Sequence, residues 1–247
     1  MRNIFNPAFP HTASGYGRHL ARAALLTLAV MGFLWHLSGR TGETATLLPS
    51  PEIDSPKSTG SETETAVLAG GCFWGVQGVF QHTRGVKHVL SGYSGGDKAT
   101  ATYGQVGTGG TGHAESVQIT FDPREISYGE ILRIYFSVAH DPTQLNRQGP
   151  DIGSQYRSAV FYADGSQQRI AQAYIAQLER AHAFAQPIVT RVDPLKAFYP
   201  AESYHQDFLI RHPDHPYIFV NDLPKIANLK RLFPHDYREQ PVLSSPN

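Results

Sequence analysis

An α/β fold of the α+β kind is predicted: a two-layer α/β sandwich with a mixed sheet flanked by helices and a long irregular C-terminal segment. Three observations point to it. Strand-like and helix-like patterns alternate between residues 65 and 192. Hydrophobic residues make up 40% of the 247 residues and aromatic residues 11%, a composition that fills a core rather than staying disordered. Beyond Pro194 the periodicity gives way to Pro- and aromatic-rich sequence, which reads as irregular chain wrapped on the domain.

The elements follow in order. TAVLAGG (65–71) is an apolar run closed by two glycines, the pattern of a buried strand before a tight turn. CFWGVQGVFQ follows, with Val76, Val79 and Phe80 on one helical face. In 115–121 alternation puts Val117, Ile119 and Phe121 on one side of a half-buried strand, which Asp122-Pro123 ends. Ser127 with Glu130 three residues on matches a capping box, opening a helix through Ile131, Ile134, Tyr135 and Val138. RSAVFYA (157–163) predicts a strand and Asp164-Gly165 a turn. A helix over 166–185 carries Ile170, Tyr174, Leu178 and Ala181 on one face; Pro187 ends it, and IVTRV (188–192) is a further strand.

Outside this region the chain changes character. Residues 23–37, AALLTLAVMGFLWHL, form an apolar run after Arg18 and Arg22, the pattern of a secretory signal or signal-anchor over 1–37. The run is shorter than the ~18 uninterrupted apolar residues of a membrane span, so cleavage and anchoring both stay open. The basic flank predicts export, with the domain facing the periplasm from a possible membrane tether; without a working signal the protein is cytoplasmic. Residues 38–64, rich in Ser, Thr, Gly, Pro and acidic side chains, read as a flexible linker. The folded domain is placed at 65–237 and a tail at 238–247. Basic and acidic residues balance at 21 each, which argues against nucleic-acid binding. Nothing suggests an obligate oligomer, and a monomer is expected.

There is one cysteine, Cys72, so an internal disulfide, a CxxC pair and a cysteine-clustered zinc site are excluded. It stands after Gly70-Gly71 at a predicted helix start. Free N–H groups and the positive dipole end there predict a lowered thiol pKa. Position alone equally fits a small buried hydrophobe.

The neighbours decide between those readings. GGCFWG (70–75) resembles the nucleophile motif of the A-type peptide-methionine sulfoxide reductases. The resemblance continues through GYSGG (92–96), TYGQV (102–106), GTGGTGHAESVQITFDP (107–123), HDPT (140–143), RQGPDIGSQYRSAV (147–160) and FYPAESYHQDFL (198–209). It implies reduction of the S epimer of methionine sulfoxide, free or in proteins, as a repair of oxidised proteins. By the same resemblance Cys72 is the nucleophile that attacks sulfur, and Glu115 the acid that protonates the oxygen. Tyr103 and Tyr156 are its hydrogen-bond donors, and Asp151 belongs to the same pocket. Phe73 and Trp74 form the aromatic wall for the terminal methyl group.

These residue types suit that chemistry. A sulfoxide oxygen leaves only once protonated, and a glutamate at its ordinary pKa of ~4.3 is ionised at neutral pH. An apolar pocket raises that pKa and keeps the acid able to donate.

Where relatives carry further cysteines near the C terminus, this chain has none. No bound cofactor is expected; a sulfenic acid on Cys72 would be reduced by an external thiol, from glutathione, a glutaredoxin or a thioredoxin-like protein. Two other readings of the cysteine compete: a hydrolase pairing Cys72 with His113 or His205, and a tethered redox sensor. His212 and His215, bracketed by prolines, read as a loop rather than a metal site. Gly107, Gly109, Gly110 and Gly112 lack the lysine of a phosphate loop and read as backbone that approaches the sulfur closely.

Overall fold

The computed structural model describes residues 45–57, 60 and 62–244. The predicted signal or anchor over 1–37 lies outside them. Among the described residues no helix is long and apolar enough to cross a membrane.

In chain order the regular elements are β1 (Glu64–Gly70), α1 (Phe73–Gln81), β2 (Val86–Ser94), α2 (Tyr103–Val106), β3 (Ala114–Phe121) and α3 (Tyr128–Ile134). A π turn over Tyr135–Ala139 extends α3. Then come β4 (Arg147–Gln148), β5 (Asp151–Ile152), β6 (Ser158–Tyr162), α4 (Gly165–Arg180), β7 (Arg191–Pro194), β8 (Phe198–Pro200), α5 (Phe208–Arg211) and α6 (Leu223–Leu232). Among the described residues six strands form one sheet in the order β7-β6-β1-β3-β2-β8. Its neighbours are antiparallel except β6 and β7, which run parallel, so the sheet is mixed as predicted.

Alternation along the strands makes the two layers. Leu68 on β1 and Val117, Ile119 and Phe121 on β3 point to the main core, where Val76, Val79, Phe80, Ile131, Ile170, Leu178 and Leu229 of the helices meet them. The opposite face carries a smaller cluster of Val67, Ala69, Ala114, Ala159 and Phe161, covered by Leu195 and Phe198 rather than by a helix. The capping box forms: Ser127 Oγ accepts from the Glu130 amide at 3.1 Å, and the Ser127 amide donates to Glu130 Oε2 at 2.8 Å. Such a cap is worth about 1 kcal/mol.

Several expectations need correction. The helix predicted to 185 stops at Arg180, and Ala181 is exposed. His182 takes a left-handed φ of 48°, while the Ala183 amide reaches Leu178 O at 3.0 Å. That is a Schellman closure built without glycine, which periodicity cannot reveal. The strand expected at 188–192 is Arg191–Pro194. The C-terminal segment is not all irregular, since α6 starts with Pro224 in its first turn, where a missing amide hydrogen costs nothing.

The expected linker is docked from residue 45. Leu48 is buried in the main core. Tyr174 Oη donates to Pro49 O at 2.9 Å, and Gln177 holds both the Ser50 carbonyl and the Glu52 amide. Asp54 accepts from Ser127 Oγ and from the Gly129 amide, adding a second cap to α3. One buried leucine and one capping aspartate, rather than composition, decide that segment. The expected tail is likewise fastened as far as Ser244, whose amide donates to Asp207 Oδ1 at 2.8 Å.

Candidate active site

The turn after β1 places the cysteine. Gly71 has φ +88°, and a Cβ there would lie 2.5 Å from Gln148 Cγ, so glycine is required on both counts. Cys72 is the N-cap residue of α1 and is 8% exposed.

Glu115 lies in phase with Val117, Ile119 and Phe121, and the two-residue period of β3 carries it under the start of α1. It is 3% exposed, and its Oε2 accepts the Phe73 amide hydrogen at 3.1 Å. That bond fastens the carboxyl to the residue after the thiol. Burial pushes the Glu115 pKa up to about 8; the Phe73 amide pulls against this, and Asp151 and Asp222 add to it.

The thiol behaves opposite to the sequence expectation. Burial first, then the carboxylates of Glu115 and Asp222, push the Cys72 pKa well above its ordinary value. The Trp74 amide and Lys225 only partly oppose them. A helix N-terminus favours an anion, but desolvation and two acidic neighbours outweigh it here.

The other predicted residues gather around this pair. Phe73 is fully buried against Tyr93 and His205, with ring centroids 5.9 and 5.0 Å away. Trp74, half-buried, stacks on Phe208 at 3.8 Å and meets Tyr217 edge-on at 6.1 Å. Tyr103 is 38% exposed; its amide donates to Glu202 Oε1 at 2.9 Å, and its ring lies 4.4 Å from His205. Tyr156, in the 3-10 turn Ser154–Tyr156, interacts electrostatically with Glu115, Asp151, Tyr103 and Cys72. Burial raises the pKa of both tyrosines, so their hydroxyls stay neutral donors. Asp151 on β5 is half-buried, and its pKa is raised by burial although it accepts a hydrogen bond from the Tyr217 hydroxyl.

The structure adds residues that sequence reasoning missed or misplaced. Tyr217, Asp222 and Lys225 come from the C-terminal segment, for which no residue-level expectation existed. His205 supports Trp74: its Nδ1 accepts the indole N–H at 3.1 Å. His113 bonds the Gly96 amide and Asp97 O. Of the two histidines proposed as hydrolase partners, His113 has both ring nitrogens in structural bonds, whereas His205 commits only Nδ1 and its buried Nε2 has no hydrogen-bond partner among the described residues. His212 and His215 pack around Phe208. The glycine-rich stretch is held by the Tyr156 turn, through Ser154 Oγ to Gly109 O at 2.7 Å and an Arg157 guanidinium contact to Gly112 O at 2.9 Å. Gly109 and Gly112 take left-handed φ values of 75° and 78°, which favour glycine at those two positions.

A buried thiol at a helix start, beside a carboxyl held largely neutral and ringed by tyrosine hydroxyls, defines a thiol-based enzyme on a mixed-sheet sandwich. The family profile described as peptide methionine sulfoxide reductase matches residues 64–237, and the chain belongs to that family as an A-type member. A peptide methionine sulfoxide reductase of Mesorhizobium japonicum is 60% identical over 191 residues, spanning 77% of this chain and 97% of the relative. One from Synechocystis is 54% identical over 196 residues, spanning 78% and 92%. Among solved structures, Mxr1 from Saccharomyces cerevisiae in reduced form has a TM-score of 0.57 at 27% identity, covering 72% of this chain and 96% of that one. Methionine sulfoxide reductase A of Corynebacterium diphtheriae has a TM-score of 0.54 at 31% identity, covering 71% and 90%.

Proposed function

We propose that the chain reduces the S epimer of methionine sulfoxide, free or in proteins, to methionine, with Cys72 as nucleophile and Glu115 as acid. The observation that carries this reading is the buried Glu115 carboxyl bonded to the amide beside Cys72. With its pKa near 8 this group holds a proton at neutral pH and can deliver it to a sulfoxide oxygen. The neutral hydroxyls of Tyr103 and Tyr156 donate to the same oxygen as charge builds on it. Trp74, braced by His205 and Phe208, forms the wall for the substrate methyl group, with Phe73 behind it. Asp151 orients the Tyr217 side of the pocket.

The chemistry balances without a prosthetic group. The Cys72 thiol takes the oxygen, becoming a sulfenic acid as the sulfoxide becomes a thioether. A first external thiol displaces water to form a mixed disulfide, and a second releases Cys72 as a thiol and leaves as disulfide. With one cysteine in the chain, both thiols come from outside. A thioredoxin-like protein, a glutaredoxin or glutathione would serve.

Mixing the chain with S-methionine sulfoxide and no reductant is expected to release one methionine per chain and stop. Intact mass should then show one added oxygen, trapped on Cys72 by a sulfenic-acid reagent. An unchanged mass with no methionine would overturn the assignment.

We also propose export. The support is the apolar run at 23–37 behind Arg18 and Arg22. Fractionation should place the protein with the membrane or periplasm; recovery only from the cytosol would remove this reading.

A further inference from the structure

The π turn Ile218–Asp222 runs into α6 and brings a buried ion pair to the start of α1. The Asp222 side chain is fully buried and that of Lys225 is 10% exposed, with Nζ 3.3 Å from Oδ1. Lysine is rarely buried, and a buried pair adds stability only when its geometry repays the desolvation of both ions. The place it occupies is specific. A Cβ on Gly75 would stand 2.1 Å from Asp222 Oδ1 and 3.0 Å from Lys225 Nζ, so the pair fills the room left by that missing side chain. Cys72 caps α1, and Gly75 stands three residues on, one turn away on the same face. The pair therefore lies against the helical turn that carries the sulfur.

We propose that Lys225, held in place by Asp222, is the positioning cation that favours the Cys72 thiolate against the carboxylates of the pocket. Those carboxylates are Glu115 on β3, Asp222 itself and, beyond Glu115, Asp151 on β5. The hydroxyls of Tyr103, Tyr156 and Tyr217 also face the sulfur and stay neutral. Glu115 and Asp222 oppose a thiolate, whereas Lys225 and the Trp74 amide favour it. Asp222 thus has two opposed effects, anchoring the cation and adding a negative charge of its own. Burial raises the Asp222 pKa and Lys225 lowers it again, which ties the two charge states together. The value of a thiolate to turnover rests on Cys72 being the nucleophile; the charge coupling itself does not.

The test is the pH dependence of Cys72 alkylation by iodoacetamide on the full chain, without sulfoxide. Lys225→Met should raise the midpoint by about one pH unit, slowing alkylation about tenfold at a fixed pH below it. Lys225→Arg should stay close to the wild type, because the charge is kept. Asp222→Asn should lower the midpoint by about one unit and speed alkylation about tenfold. A merely structural role would loosen the site and speed alkylation in every variant. Opposite shifts in Lys225→Met and Asp222→Asn support the proposal; unchanged midpoints, or shifts of one sign, overturn it. If Lys225→Met does not fold, Lys225→Gln decides in its place: a raised midpoint supports the proposal, and an unchanged or lowered one overturns it. No sulfoxide enters this assay, so a negative result leaves the reductase assignment untouched.

Discussion

Replacing Cys72 by serine is expected to abolish sulfoxide reduction, with kcat/KM falling roughly 10⁴-fold or more, the scale on which enzymes lose activity when a nucleophile is removed. The reason is chemical. Sulfur can accept the transferred oxygen as a sulfenic acid. A serine hydroxyl would have to form an O–O bond, and its oxygen is far less nucleophilic than sulfur. The exchange is nearly isosteric at a position only 8% exposed, so the fold should persist. Methionine released in a single turnover, followed beside far-UV circular dichroism, checks both points. Release by the folded serine variant at the wild-type rate would remove Cys72 from the mechanism.

Glu115→Gln is the second large effect, with an expected loss of about 10²–10⁴ in the first-turnover rate. Glutamine can still accept the Phe73 amide hydrogen, so the start of α1 should hold its place. What it cannot do is release a proton to the departing oxygen. In the wild type the protonated carboxyl is the active form, so its contribution should fade as pH rises through about 8. That loss at alkaline pH should be absent from the variant. Thiol alkylation should respond the other way, because removing a carboxylate that pushes the Cys72 pKa up makes the sulfur easier to ionise. A first-turnover rate within threefold of wild type would rule out Glu115 as the acid.

The same group couples stability to pH. Folded Glu115 keeps its proton from the ordinary 4.5 up to about 8, so in that window the folded chain binds more protons than the unfolded one. Stability from this group is complete below 4.5 and is lost as pH climbs through about 8, by an amount on the order of a few kcal/mol. Chemical denaturation of the wild type and Glu115→Gln at pH 5 and pH 8.5 should show the difference narrowing or reversing at the higher pH.

Local rules read much of this fold from the chain. β1, α1, β3, the Ser127–Glu130 capping box and β6 each announce themselves through periodicity or a cap within a few residues, and each forms. β2 gave no such signal. It pairs with β3 on one side and β8 on the other, and its register shifts between Val86 and His88, so its burial pattern is uneven. α6 was hidden because Pro224 looks like a breaker when its place in the first turn is unknown. The docking of 45–57 rests on Leu48 and Asp54 meeting partners far along the chain, which composition does not record.

By itself the sequence determined the identities: one thiol, an acid in phase with the buried face of β3, and no second cysteine to resolve the first. Those depend on residue type and local period. The tertiary structure decided the charge states. Cys72 was expected to be acidified by a helix N-terminus, yet its ionisation is set by how deeply it is buried and by Glu115, Asp222 and Lys225 packed around it. Desolvation and Coulomb terms act through space, between residues that only folding brings together, so no pattern along the chain could have predicted their balance.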